Sequence, residues 1–407
     1  MLRIFRGTGV CRRYARETMA EIKFLTHEIG SLAKPPWLVK TNAGSPLDES
    51  DREHARAWGE KLRVKGYEEL IPLLEADKRD PDEIARWASR YALRLQEAAG
   101  VDYVWDGEQQ RSEMYAWAIA HSNGFEPRGT IRSFDNKYYS KSAVTGPPSL
   151  RVPFHNEEFS FLTSVAEHEL KIPITGAYTL AVWSYDEHYA PQTGRLGAGH
   201  GRSEELEARR EFTLDIARNL VRPNLEALIE LGATWIQIDE PGASTEADEL
   251  DLFVESFNVS VEGLDCMFST HLCFSDYNLF FPAIEGMAEC RQYCVGFANY
   301  DRTELGTSGA DRPGYEVIAK FRDLPYDPIL GLGVLDIHTD YIEPAELVRD
   351  RILYAVDVFG DPARIHVCPD CGLRTRSWEI AYEKLSRMVE GTHLAEEALN
   401  RAHVAAR

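Results

Sequence analysis

The chain has no apolar run long enough to cross a bilayer, no excess of basic residues and no close, regular spacing of cysteines. Each deficit removes a class of protein. A membrane-spanning helix needs roughly 20 consecutive apolar residues, so no membrane segment is expected. Acidic side chains outnumber basic ones 66 to 45, for a formal net charge of -21. Nucleic acid is therefore excluded as a partner, because binding it requires clustered Lys and Arg to neutralise phosphates. The seven cysteines are odd in number and do not read as a disulfide framework, which points to a reducing, cytoplasmic setting.

What is present is ordinary globular composition over 407 residues, 44% apolar and 27% charged, enough for a substantial core. The first eighteen residues, MLRIFRGTGVCRRYARET, are Arg-rich and nearly free of acids, as targeting segments are. Met19 is followed at once by AEIKFLTHEIGS, a good first strand. Residues 1–18 are therefore read as a disordered tail ahead of a single domain, 19–407.

Short apolar runs rich in branched residues recur at 22–27, 101–105, 171–175, 234–238, 266–272, 293–297, 329–337 and 364–367. Amphipathic segments such as Ser203–Leu231, Asp248–Val261, Pro344–Phe359 and Arg376–Ala398 separate or follow them. Eight strand-and-helix units predict an α/β fold, a single (β/α)8 TIM barrel. Two stretches exceed its needs. The charged, helix-patterned segment 46–100 is expected to be a helical insertion after strand 1, and 123–153, which alternates and ends in a Pro/Gly-rich turn, a hairpin over the barrel mouth.

Polar residues stand at the C-terminal ends of these runs, where barrel enzymes keep their chemistry: Ser31, Glu108, Thr175, Asp239, His271, Cys273, His338 and Cys371. His271 and Cys273 are two apart on a strand and so share a face, where they can share a metal; Cys371 adds a second sulfur from the last strand's loop. One imidazole and two thiolates suit zinc, and three protein ligands leave a position free. The same residues admit another reading, in which Cys368 and Cys371 form a C-x-x-C redox pair. That motif belongs with a much smaller thioredoxin-like unit, which the eight-fold pattern does not offer.

The ordered set HEIGS, DGEQQR, IDEP, THLC, DIH and PDCGLRTR resembles the catalytic domain of the cobalamin-independent methionine synthase family, from about Phe24 to the C-terminal helix and excluding the helices after Pro46. The resemblance implies a zinc ion (Zn2+) held by His271, Cys273 and Cys371 that binds the homocysteine thiol. It implies an amino-acid pocket made of Ile29, Gly30, Ser31, Glu108 and Asp239, with His338 as proton donor. Two carboxylates can hold an ammonium, while turn N–H groups and a hydroxyl hold a carboxylate. The expected activity is zinc-dependent methyl transfer to a thiol, homocysteine giving methionine. Alternatives are alkyl transfer to another small thiol of the coenzyme M type, or a barrel that binds zinc or thiol without turnover.

There is one departure. Where the family supplies a fourth zinc ligand, a Glu at the end of the sixth strand, the stretch YCVGFANYD has Gly296; Cys294, on the same strand face, is the candidate substitute, with Asp301 and Glu304 following in the loop. The family's full-length members also carry an N-terminal barrel that helps bind folate polyglutamate, whereas this chain's only barrel begins near Ile22. The expected methyl donor is therefore a methyl-corrinoid, free or on a corrinoid protein, ahead of methyltetrahydrofolate, docking near Tyr178 and Trp183.

Overall fold

Twelve strands organise the described residues: β1 (Leu25–Thr26), β2 (Tyr103–Val104), β3 (Ser122–Arg132), β4 (Tyr138–Leu150), β5 (Glu169–Leu170), β6 (Ile172–Thr175), β7 (Tyr185–Asp186), β8 (Trp235–Asp239), β9 (Met267–Leu272), β10 (Gln292–Val295), β11 (Ile329–Gly333) and β12 (Ile365–Cys368). The structure is a computed structural model and describes residues 21–132, 138–190 and 202–405, so the tail 1–18 lies outside it. Seven strands form one parallel sheet in the order β1-β12-β11-β10-β9-β8-β6. β2 pairs in parallel with β5, which leads through Lys171 into β6, and a parallel bridge from His27 to Tyr103 joins β1 to β2. With β5 and β6 counted as one stave, eight staves close a barrel, and each overlaps one of the eight runs read from the sequence.

Side chains alternate along each stave. On β8, Trp235, Gln237 and Asp239 share one face and Ile236 and Ile238 the other. The first set lies inside the barrel, where Trp235 meets His27 and His366, and Lys171 donates to Gln237. The isoleucines belong to the apolar core.

The helices are α1 (Pro36–Asn42), α2 (Glu49–Leu62), α3 (Leu70–Glu75), α4 (Pro81–Ala99), α5 (Met114–Ala120), α6 (Asn156–Val165), α7 (Ala177–Val182), α8 (Arg202–Ile216), α9 (Arg222–Glu230), α10 (Leu250–Val261), α11 (Ile318–Arg322), α12 (Ala345–Phe359) and α13 (Trp378–Ala405). α2 begins with a capping box between Asp48 and Asp51. α4 begins with Asp80 and Pro81 and ends on Gly100, whose φ of +87° suits glycine. Because α4 packs on α13 and runs directly into β2, it occupies the crossover position between the first two staves. The part of 46–100 that adds to the barrel is thus the segment before it. The helix read over Ser203–Leu231 is interrupted: residues Ala217–Val221 form a π turn between α8 and α9. Pro223 explains it, since it lacks an N–H and its ring crowds the preceding turn.

β3 and β4 form the antiparallel hairpin expected from 123–153. Its Tyr139 ring lies under the guanidinium of Arg374, in the loop after β12, which lays the hairpin against the mouth.

Candidate functional site

At the C-terminal ends of β9 and β12 the ligand atoms of His271, Cys273 and Cys371 all lie within 4.8 Å of one another. Cys371 Sγ stands 3.3 Å from Cys273 Sγ and 3.4 Å from His271 Nε2. His271 Nδ1 is 3.1 Å from the Cys294 carbonyl oxygen. A carbonyl only accepts, so Nδ1 carries the proton and Nε2 presents its lone pair to the two sulfurs, the tautomer a metal ligand needs. Burial works against the His271 cation, yet Cys371 beside it and Asp239 raise its pKa. Contact with Cys371 lowers the pKa of Cys273, and that of Cys371 itself goes up. The donor set and its one-sided presentation fit zinc.

Cys294, the sequence candidate for a fourth ligand, is not in this cluster. It precedes Gly296 by two residues, one layer or about 6.6 Å deeper in the barrel. There its thiol meets Gln237 Oε1 at 3.5 Å, and burial pushes its pKa up to about 12. It contributes its carbonyl, not its sulfur. Asp301 is also committed elsewhere, at 2.6 Å from Arg312 and 3.0 Å from Arg351. Beside Gly296 the space belongs to Asp370, whose Cβ would lie 3.0 Å from a Cβ added to the glycine. Asp370 accepts from the backbone N–H groups of Phe297, Ala298 and Asn299, and so ties the Cys371 loop to the end of β10.

The C-x-x-C reading is overturned by the same geometry. Cys371 faces Cys273, whereas Cys368 is buried with Ile29 and Cys294, and burial raises its pKa far above the ordinary thiol value. All six described cysteines are free thiols.

Next to the cluster, Glu108 and Asp239 converge on the turn Ile29–Gly30–Ser31. Glu108 Oε1 would stand 3.5 Å from a Cβ on Gly30. Glu108 holds φ at +61°, a conformation unusual for a non-glycine residue and concentrated at functional sites. Asp239 Oδ1 accepts from Gln237 Nε2 at 2.7 Å, and the same amide nitrogen donates to the Ile29 carbonyl at 2.6 Å. Burial pushes Asp239 up to about 7, with His271 opposing and Glu108 reinforcing the shift. The pKa of Glu108 is raised as well, by burial first. Ser31 packs on Gly372, which has no room for a side chain.

His338 is exposed, its ring edge-on to Phe274 at 4.9 Å between centroids, and Phe274 directly follows Cys273. Phe274 is 57% exposed and stacks on Tyr300, which is 46% exposed. Tyr178 does not reach the mouth: it is fully buried, and its hydroxyl bonds to Glu249, because α7 turns that face toward the core. Trp183 is half-buried near Tyr115, beneath the hairpin.

Sequence reasoning missed Lys171, Gln237 and Asp370. Lys171 Nζ, fully buried, lies 2.6 Å from Gln237 Oε1 and also donates to the Glu28 carbonyl. A signal existed for Gln237, a polar residue on the inward face of WIQID. For Asp370, overshadowed by the cysteines around it, nothing in the spacing marked the role.

An imidazole and two thiols at strand ends, beside a pocket with two carboxylates, define a barrel enzyme that handles thiols. Over residues 68–394 the chain matches the family described as cobalamin-independent synthase, catalytic domain. It is 34% identical over 381 residues to methionine synthase from Thermoplasma volcanium, covering 90% of this chain and 96% of that protein. It is 36% identical over 323 residues to methionine synthase from Thermoplasma acidophilum, covering 75% and 88%. The fold is shared with a solved B12-independent methionine synthase from Shewanella sp. W3-18-1 in complex with selenomethionine, at a TM-score of 0.68 and 22% identity over 93% of this chain and 99% of that one. The chain belongs to the cobalamin-independent methionine synthase family and is a thiol S-methyltransferase.

Proposed function

We propose that this enzyme transfers a methyl group to the thiol of homocysteine, giving methionine, with zinc held by His271, Cys273 and Cys371. The observation that carries the reading is the convergence of those three ligand atoms within 4.8 Å, next to the paired carboxylates of Glu108 and Asp239. When bound there, zinc stabilises the substrate as a thiolate near neutral pH, and the thiolate is the competent nucleophile. Glu108 and Asp239 bind and orient the ammonium, while the Ile29–Gly30–Ser31 turn receives the carboxylate. Retention of the two acids favours an amino-acid acceptor over a coenzyme M type thiol, whose sulfonate has no ammonium to bind. The relatives named methionine synthase support the same acceptor. Free thiols at the site call for a reducing compartment, which the cytoplasm supplies. Among the described residues no helix is long and apolar enough to cross a membrane.

For the donor, a methyl-corrinoid, free or carried by a corrinoid protein, is the better fit. A net charge of -21 opposes the approach of a polyanionic folate tail. The exposed Phe274 and Tyr300 beside Cys273 offer an apolar shelf instead. The methyl group leaves cobalt without its bonding electrons, so the cob(I)amide departs carrying the pair and needs no proton; a folate nitrogen does need one, and His338 is the group to give it. Side-by-side assays with both donors, using native protein and His338→Ala, test this. Turnover with the corrinoid that survives the substitution is expected. Efficient turnover with methyltetrahydrofolate that collapses in the variant contradicts it.

A further inference from the structure

A cavity of about 280 Å³ opens beside the Ser31 turn, lined among others by Ser31, Lys34, Glu108, Glu113 and Arg374. Its charges are divided between acids and bases, as the walls of a site for a zwitterion must be. The three bases, Lys34, Arg111 and Arg374, are not equivalent: Arg111 is paired with the buried Glu158 and donates to the Pro173 carbonyl. Lys34 Nζ is spent on backbone, donating to the Glu108 and Gln109 carbonyls at 2.8 Å each, where it braces the strained Glu108. Arg374 is different. Among the described residues no hydrogen bond or ion pair engages its guanidinium, which instead lies over the Tyr139 ring at 5.6 Å from the centroid. A guanidinium held by its face keeps its N–H donors free in plane, aligned for two parallel hydrogen bonds to a carboxylate.

Local backbone keeps Arg374 close to the amino-acid pocket. A parallel bridge joins Leu32 to Leu373, and Gly372 packs on Ser31, so the loop bearing Arg374 is fastened to the turn bearing Ser31. Its charge also opposes the rise in pKa that burial imposes on Glu108 and Glu113. We infer that Arg374, oriented by Tyr139 of the hairpin, is a specificity-determining residue that binds the α-carboxylate of the amino-acid acceptor together with Ser31. This rests on the reading of the pocket as an amino-acid site, and it gives the hairpin a purpose: to hold one substrate-binding side chain in place.

Calorimetric titration of zinc-loaded protein with L-methionine and with 3-(methylthio)propylamine, the same molecule without its carboxylate, tests the inference. Native protein is expected to bind methionine at least about tenfold more tightly than the amine, a preference of about 1.4 kcal/mol or more. Arg374→Met should shrink that preference to about twofold by weakening methionine alone, and Arg374→Lys should recover part of it, keeping the charge but not the fork. An Arg374→Met protein that retains the full preference overturns the inference and leaves the amino-acid reading intact. Parallel loss of both ligands in the Met and Lys variants marks a structural role and overturns it too. Native protein that binds neither compound overturns the amino-acid reading beneath it.

Discussion

Cys273 and Cys371 stand 98 residues apart in the chain and 3.3 Å apart at their sulfurs. No disulfide joins them. Two sulfurs that close, with an imidazole nitrogen 3.4 Å from one of them, are placed to share one metal ion. A metal ion bound there would take both sulfurs as thiolates, so the thiols would deprotonate as it binds.

Removing one ligand should therefore empty the site, whereas removing the neighbouring thiol should not. Purified native protein is expected to hold about one zinc per chain. Cys371→Ser should lose most of it, because only two ligands remain to exclude water. Cys294→Ser should keep it, since that sulfur meets Gln237. Metal analysis of the three proteins decides the assignment, and equal loss in both variants would make Cys294 a ligand after all.

Asp239→Asn should weaken methionine binding about 10- to 100-fold, the equivalent of roughly 1.5–3 kcal/mol for a hydrogen bond to a charged group, and leave zinc in place. Calorimetry with parallel metal analysis separates the two effects. Loss of zinc together with affinity would show that Asp239 serves the metal and not the ammonium.

A third expectation concerns Glu28, whose two carboxylate oxygens are buried without hydrogen-bond partners, Oε1 lying 3.9 Å from Lys171 Nζ. Burial pushes its pKa from 4.5 up to about 8, with Lys171 opposing. Below about 4.5 the folded and unfolded states are both protonated and Glu28 costs nothing. As pH rises toward 8 the unfolded state sheds its proton freely and the folded state does not, so stability falls across that window. Glu28→Gln should remove this component, which is several kcal/mol at most, because each pKa unit corresponds to about 1.4 kcal/mol. Thermal unfolding at pH 6 and pH 9 should show the variant gaining on native protein as pH rises; a difference that stays constant would place the ionised carboxylate in contact with water or Lys171.

Much of the fold is legible in the sequence. The eight staves appear as short runs rich in apolar residues, because the face each turns to the surrounding helices, such as Ile236 and Ile238 of β8, belongs to the apolar core. The cluster of His271, Cys273 and Cys371 was legible because His271 and Cys273 differ by the strand period and Cys371 follows the last run. The interior layer beneath them was not. Gln237, Lys171 and Glu28 meet only when β1, β6 and β8 close against one another, and nothing in a single strand's spacing reports a partner across the barrel. Cys294 was misjudged for a related reason. Strand alternation gives the face but not the depth, and depth decides whether a thiol meets a metal or an amide. Tyr178 failed on helix phase, since its place after a strand end could not tell which side of α7 it would occupy.

The central claim is that zinc held by this chain binds the substrate's sulfur. X-ray absorption at the zinc edge, on metal-loaded protein with and without homocysteine, addresses it directly. The protein supplies two sulfurs and one imidazole nitrogen. Addition of homocysteine should raise the zinc–sulfur coordination from two to three, at about 2.3 Å. Unchanged sulfur coordination at saturating homocysteine would contradict the account.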